Sequence, residues 1–224
     1  MKILSLKDMF SVMEIYYRYL DGKIAFDECG FPIFKKSMFI DEWPDLIVPY
    51  SQRKNWRVKE KSKTVLCFYD SDHHIYPRVA KVIQEIDEYK SYMGVIGMDI
   101  TITDNMDEEW QEFIFLQNQL FLAVLAINEI KIAINIRTAG LDVSRAFRNV
   151  PCGVTVASGF LGCDAIGGTE DLSYIVKVLT LLPDKLIIYG KRDKTVQEQL
   201  DAIGINYRVF KDFHRLCKEV HHGR

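Results

Sequence analysis

The chain has no C-x-x-C pair. Its five cysteines, Cys29, Cys67, Cys152, Cys163 and Cys217, are odd in number and scattered, which argues against zinc and dithiol motifs and reads as the reduced thiols of a cytoplasmic protein. Nor is there an unbroken apolar run of bilayer length. The richest, FIFLQNQLFLAVLAI at 113–127, is interrupted by Gln117, Asn118 and Gln119 and falls short of the roughly 20 residues a span needs. It reads as a buried core helix, and no membrane partner is expected. The opening MKILSLKDMFSVMEIYYRYL spreads Lys7, Asp8, Glu14 and Arg18 along its length; it lacks the apolar centre of a signal peptide and reads as an amphipathic helix. Charge of one sign is also missing: a net −2 over 224 residues supplies no bulk attraction to nucleic acid or anionic lipid. Finally, there is no phosphate loop. The four glycines of SGFLGCDAIGGTEDL, 158–172, fit neither G-x-G-x-x-G nor G-x-x-x-x-G-K-[ST]. Glu170 and Asp171 follow the capping Thr169 and place negative charge where an anion would meet the helix dipole. The stretch reads as a long wall or lid at a ligand-facing edge.

What the chain does have is a rhythm. Short runs rich in β-branched and aromatic residues fall at 64–69, 94–98, 131–136, 153–158, 185–189 and about 206–210, without polar alternation, as in strands covered on both faces. Helical segments lie between them at about 77–91, 106–128, 142–149, 170–182 and 194–203. The spacing predicts an α/β fold of repeated βα units with about six mostly parallel strands. That sheet is either an incomplete or decorated (β/α) barrel or a doubly wound open sheet, with the barrel favoured because polar residues recur at nearly every strand end. Residues 1–63 read as an N-terminal helix and irregular extension packed on the core, 64–212 as the α/β core domain, and 213–224 as a C-terminal tail.

In either architecture a ligand sits beyond the carboxyl ends of the strands. Those ends deliver Asp70, Asp72, His73 and His74; then Asp99; then Asn135 and Arg137; then Ser158, Gly159, Gly162 and Cys163; then Tyr189 and Gly190. Asp70, Asp72 and Asp99 are the candidate catalytic carboxylates, dividing into acid and base or offering oxygen ligands to Mg²⁺ or Mn²⁺. Arg137 with Asn135 suits a phosphate or carboxylate, because guanidinium presents a planar fork of donors. The alternative for the same residues is a buried salt-bridge network, Arg137 with Asp99. Cys163 is a nucleophile only if a base lowers its pKa. The run SQRKNWRVKEKSK, 51–63, gathers six cations around Trp56; it reads as a nucleic-acid grip or as a solvated linker.

The blocks FYDSD, GVIGMDITIT, AINIR, VASGFLGC and PDKLIIYG, in that order, resemble the signature of an uncharacterised phage and prophage family, domain of unknown function 4417, over about residues 40–210. The resemblance points to Asp99, Asn135, Arg137, Gly159, Gly162 and Gly190 as the family-like positions, with Met98 and Thr138 standing where the family carries Pro and Trp. It implies a phage or mobile-element origin and expression in a bacterial cell, and it implies no activity. Three functions follow as expectations. One is a small anionic-ligand or catalytic site at the strand ends. The second is a non-catalytic accessory protein that binds a bacterial host protein through its aromatic-rich extension. The third is nucleic-acid binding through 51–63.

Overall fold

The computed structural model describes residues 3, 5–103, 105–137, 143–160, 173–191 and 193–219. Seven strands form one sheet: β1 (Leu46–Pro49), β2 (Thr64–Phe68), β3 (Gly94–Met98), β4 (Ile132–Asn135), β5 (Thr155–Phe160), β6 (Lys185–Gly190) and β7 (Tyr207–Phe210). They are hydrogen-bonded in sequence order and every pair is parallel. Right-handed crossovers then put all connecting helices on one face. A sheet whose order never reverses has no second helix layer, so it covers its other face by curling on itself. The result is a nearly closed barrel-like sheet, and the doubly wound alternative is excluded.

The pleat sorts side chains between two cores. Val65, Cys67, Tyr69, Ile96, Ala133, Ala157, Ile187 and Tyr189 belong to the inner cluster, whereas Leu66, Phe68, Val95, Ile132, Ile134, Val156, Leu186 and Ile188 pack with the helices. Inside, Tyr69 and Tyr189 stack with centroids 5.3 Å apart. Gly159 makes room for them, because a Cβ there would lie 2.6 Å from the Tyr69 ring. At the opposite end Ile40 joins the inner cluster, and its backbone bonds Ile132 and the Thr155 hydroxyl.

Around the barrel run α1 (Leu6–Leu20), α2 (Asp72–Val79), α3 (Ile86–Lys90), α4 (Glu108–Ala126), α5 (Val143–Ala146), α6 (Ser173–Leu181), α7 (Lys194–Ala202) and α8 (Phe213–Glu219). Ser5 caps α1 and Asp193 caps α7 through side-chain oxygens, the usual repair of orphaned first-turn donors. Long, apolar α4 packs on α1, β3 and β4, and its Asn118 accepts the Met98 N–H at 3.0 Å. Among the described residues, no helix is long and apolar enough to cross a membrane.

Three local differences from the sequence reading bear on the site. The extension contributes β1, a short edge strand ending in Pro49, a residue tolerated there because an edge has donors to spare. Helix α2 starts at Asp72 rather than near Pro77. It ends two residues past that proline, whose ring lacks the N–H that would bond the His73 carbonyl. Residues 213–219 form α8, which packs against β1. Phe213 is buried in the inner cluster, so the helix stands where the circle of strands is incomplete. Arg57, from the basic run, donates to the Leu216 and Cys217 carbonyls and ties α8 down.

Candidate functional site

Each predicted carboxylate at the carboxyl rim answers to a different partner. Asp70, just past β2, takes the Ser71 N–H at 2.8 Å and His74 Nδ1 at 2.9 Å, and the Ser51 hydroxyl bonds it too. Burial alone would raise its pKa, but His74, Ser71 and Ser51 hold it below the ordinary carboxylate value. Asp72, in the first turn of α2, accepts the Thr101 N–H at 3.0 Å and so ties the loop after β3 to the helix. Asp99 accepts from Asn135 Nδ2 at 3.0 Å and pairs with Arg137 at 3.1 Å. Asn135 is buried at the end of β4 and reaches the Met98 carbonyl as well. Asp99, Asn135 and Arg137 are therefore joined in one network, in which the Arg137 side chain stays 37% exposed. Asp70 and Asp72 belong to other contacts, and no group of three His, Cys, Asp or Glu among the described residues is placed to hold a metal ion.

The remaining predicted positions divide by face. Ser158 is buried and bonds Tyr174 of α6 in the helix layer. Gly159 lies under Tyr69 within the barrel, and Gly190 ends β6 at φ 120°. The Tyr189 hydroxyl accepts the Phe213 N–H at 2.9 Å, beside Asp212 at 3.4 Å, so it anchors α8. Burial, before any neighbour, pushes the Tyr69 and Tyr189 hydroxyls upward in pKa. Among the described residues, buried Tyr69 Oη and Asn135 Oδ1 have no hydrogen-bond partner. Gly162 and Cys163 lie outside the described residues.

A cavity of only about 10 Å³ borders Asn135 and Arg137; a larger space lies elsewhere on the rim. A cleft of about 220 Å³ sits at the ends of β1 and β2, with Tyr50, Ser51 and Arg53 on one side, His74 and Arg78 of α2 on another, and Asp70 between the strand and the helix. Cys67, Phe68 and Ile75 complete its lining. Arg53 stacks its guanidinium 4.0 Å from the Tyr50 ring centroid and donates to the Tyr50 carbonyl at 3.0 Å. Arg78 pairs with Glu85 at 2.6 Å. Glu85 also accepts the Tyr50 hydroxyl at 2.8 Å; burial first, then Glu85, pushes that phenol up to about 12. Sequence reading missed Arg53 because it belongs to a cation run, and missed Arg78 because it belongs to a helix. The available signal was LIVP at 46–49: taken as a strand, it places YSQR at a strand end like the others.

Of the rest of the basic run, Lys54 and Lys59 are exposed, while two lysines meet carboxylates of the same chain. Lys61 lies 3.6 Å from Glu88, and Lys63 lies 3.0 Å from Glu60. Of the extension's aromatics, Phe31, Phe34, Phe39 and Tyr50 are buried, whereas Trp56 is 73% exposed.

A family model described as a domain of unknown function (DUF4417) matches residues 28–209, most of the chain. No curated protein and no solved structure matches it.

Proposed function

The chain belongs to the family of that domain of unknown function, and from this premise we propose that it binds a small anionic molecule, phosphorylated or carboxylated, at the carboxyl rim of its barrel, in the cleft between β1, β2 and α2. The observation that carries the reading is the pair of partly buried arginines, Arg53 and Arg78, whose side chains are 20% and 25% exposed, lining one cleft with His74 and Ser51. Glu85 and Glu88 already stand beside these guanidinium groups, and what supports the reading is that each guanidinium has more N–H donors than its bonds within the protein use. The neighbouring Asp99–Asn135–Arg137 network braces β3 against β4 beside the site. Origin as a phage or prophage product acting inside a bacterial cell belongs to the same proposal and rests on the sequence blocks.

Thermal unfolding with and without ligand tests it, since a ligand that binds only the folded chain raises its stability. A millimolar panel of phosphorylated and carboxylated metabolites is expected to raise the wild-type midpoint and to leave folded Arg53→Ala unmoved. Equal shifts in both proteins would remove the cleft from the account.

A second reading, contact with nucleic acid through 51–63 or with a host protein through the aromatic-rich extension, is favoured by exposed Trp56, with Arg57 at 4.9 Å from its ring. Binding that weakens steeply with salt would mark the nucleic-acid form. A stoichiometric protein captured from host lysate and lost in Trp56→Ala would mark the other.

A further inference from the structure

We infer that the ligand of this cleft is a phosphate monoester of a neutral alcohol, an inference that rests on the anion reading above. A carboxylate is planar, and a single guanidinium edge satisfies both its oxygens. A phosphate group offers three acceptor oxygens in a pyramid, and it needs donors from several directions. Around the cleft the donors arrive from separate elements. Arg53 enters from the turn after β1, while His74 and Arg78 enter from α2, four residues apart and so on one helix face.

Each guanidinium has five N–H groups and uses Nη1 within the protein, Arg53 on the Tyr50 carbonyl and Arg78 on Glu85. These bonds fix the forks and leave other donors over. Arg53 Nε lies 3.9 Å from Glu88 Oε1, beyond hydrogen-bond reach, and both atoms are buried without a hydrogen-bond partner among the described residues, so the donors left for a ligand are those of the outer Nη groups. Phe68 and Ile75 in the lining give the apolar part of the cleft that an esterified group would meet. Among the described residues Asp70 is the one carboxylate lining the cleft, and it disfavours a further negative group on the esterified portion, which selects a neutral alcohol. At about 220 Å³ the space is smaller than the ~300–1,000 Å³ of drug-sized sites, and fits a phosphate with a short substituent.

Titration calorimetry of the intact chain with glycerol phosphate, inorganic phosphate, glycerate and acetate tests the inference. Glycerol phosphate is expected to bind at least tenfold more tightly than glycerate. Arg78→Lys keeps the charge and loses the fork; it is expected to weaken glycerol phosphate about tenfold, the lower range for a hydrogen bond to a charged group. His74→Gln, on the more exposed first turn, is expected to weaken it severalfold without disturbing the Arg78–Glu85 pair. Glycerate binding as tightly as glycerol phosphate, or unchanged affinity in both variants, overturns the phosphate inference and leaves the anion reading standing. Failure of all four probes at millimolar concentration overturns both.

Discussion

At the ends of β1 and β2 the charged side chains face a cleft; one strand pair further round, at the ends of β3 and β4, they face one another. Both places are built alike, with polar residues set just past apolar strands. The difference lies in what brings the second charge. Asp99 and Arg137 come from adjacent strands and meet at 3.1 Å, with Asn135 between them. Arg53 and Arg78 come from a turn and a helix, each beside a carboxylate, Glu88 and Glu85, that is not part of the cleft lining. A charge cluster at a strand end is thus a candidate site only when its members leave donors directed at empty volume.

The comparison breaks most visibly in stability. Asp99→Ala strips Arg137 and Asn135 of a shared acceptor and is expected to cost about 1–3 kcal/mol in denaturant unfolding. Arg53→Ala, whose nearest carboxylate is 3.9 Å away, is expected to cost less. Equal losses would mean that the two rims are the same kind of structure.

Acid sharpens it next. The folded-state pKa of Asp70 is depressed, so its contribution is complete above the unfolded value of about 3.9 and is lost as pH falls through the lower folded value. Asp70→Asn should flatten that part of the acid limb, below about pH 4, by about 1 kcal/mol or less for so exposed a pair. A pH profile parallel to wild type would place the Asp70–His74 contact outside the folded ensemble.

The smallest effect concerns the gap in the barrel. Arg57→Ala removes two donors from the end of α8 and should speed amide exchange in residues 213–219 with global stability reduced by about 1 kcal/mol. Unchanged exchange there would show that Phe213 alone holds the helix.

Six of the seven strands were legible, most of them as apolar runs buried on both faces, as VLCF and LIIY show; β7, YRVF, is only partly buried and was legible from its aromatic and β-branched residues. The seventh, LIVP, was hidden by its brevity and its proline. Closure into a barrel was only one of two readings, since strand order depends on contacts between segments and no residue type reports it. The Asp99–Arg137 contact was visible as an alternative because adjacent strands of a parallel sheet bring their ends together. The β1–β2 cleft was not. Arg53 resembles five other cations in its run until β1 fixes where it stands, and Arg78 stands in a helix that starts at Asp72, after Ser71, rather than near Pro77.

The central claim is that the first rim binds an anion and the second braces the fold. The measurement that tests it most directly is the affinity of wild type, Arg53→Ala and Arg137→Ala for whichever phosphate or carboxylate binds the wild type, each variant checked for its fold. The account predicts a loss of at least tenfold in Arg53→Ala, about 1.4 kcal/mol, and an unchanged affinity in Arg137→Ala. The reverse pattern would contradict it and return the site to the ends of β3 and β4.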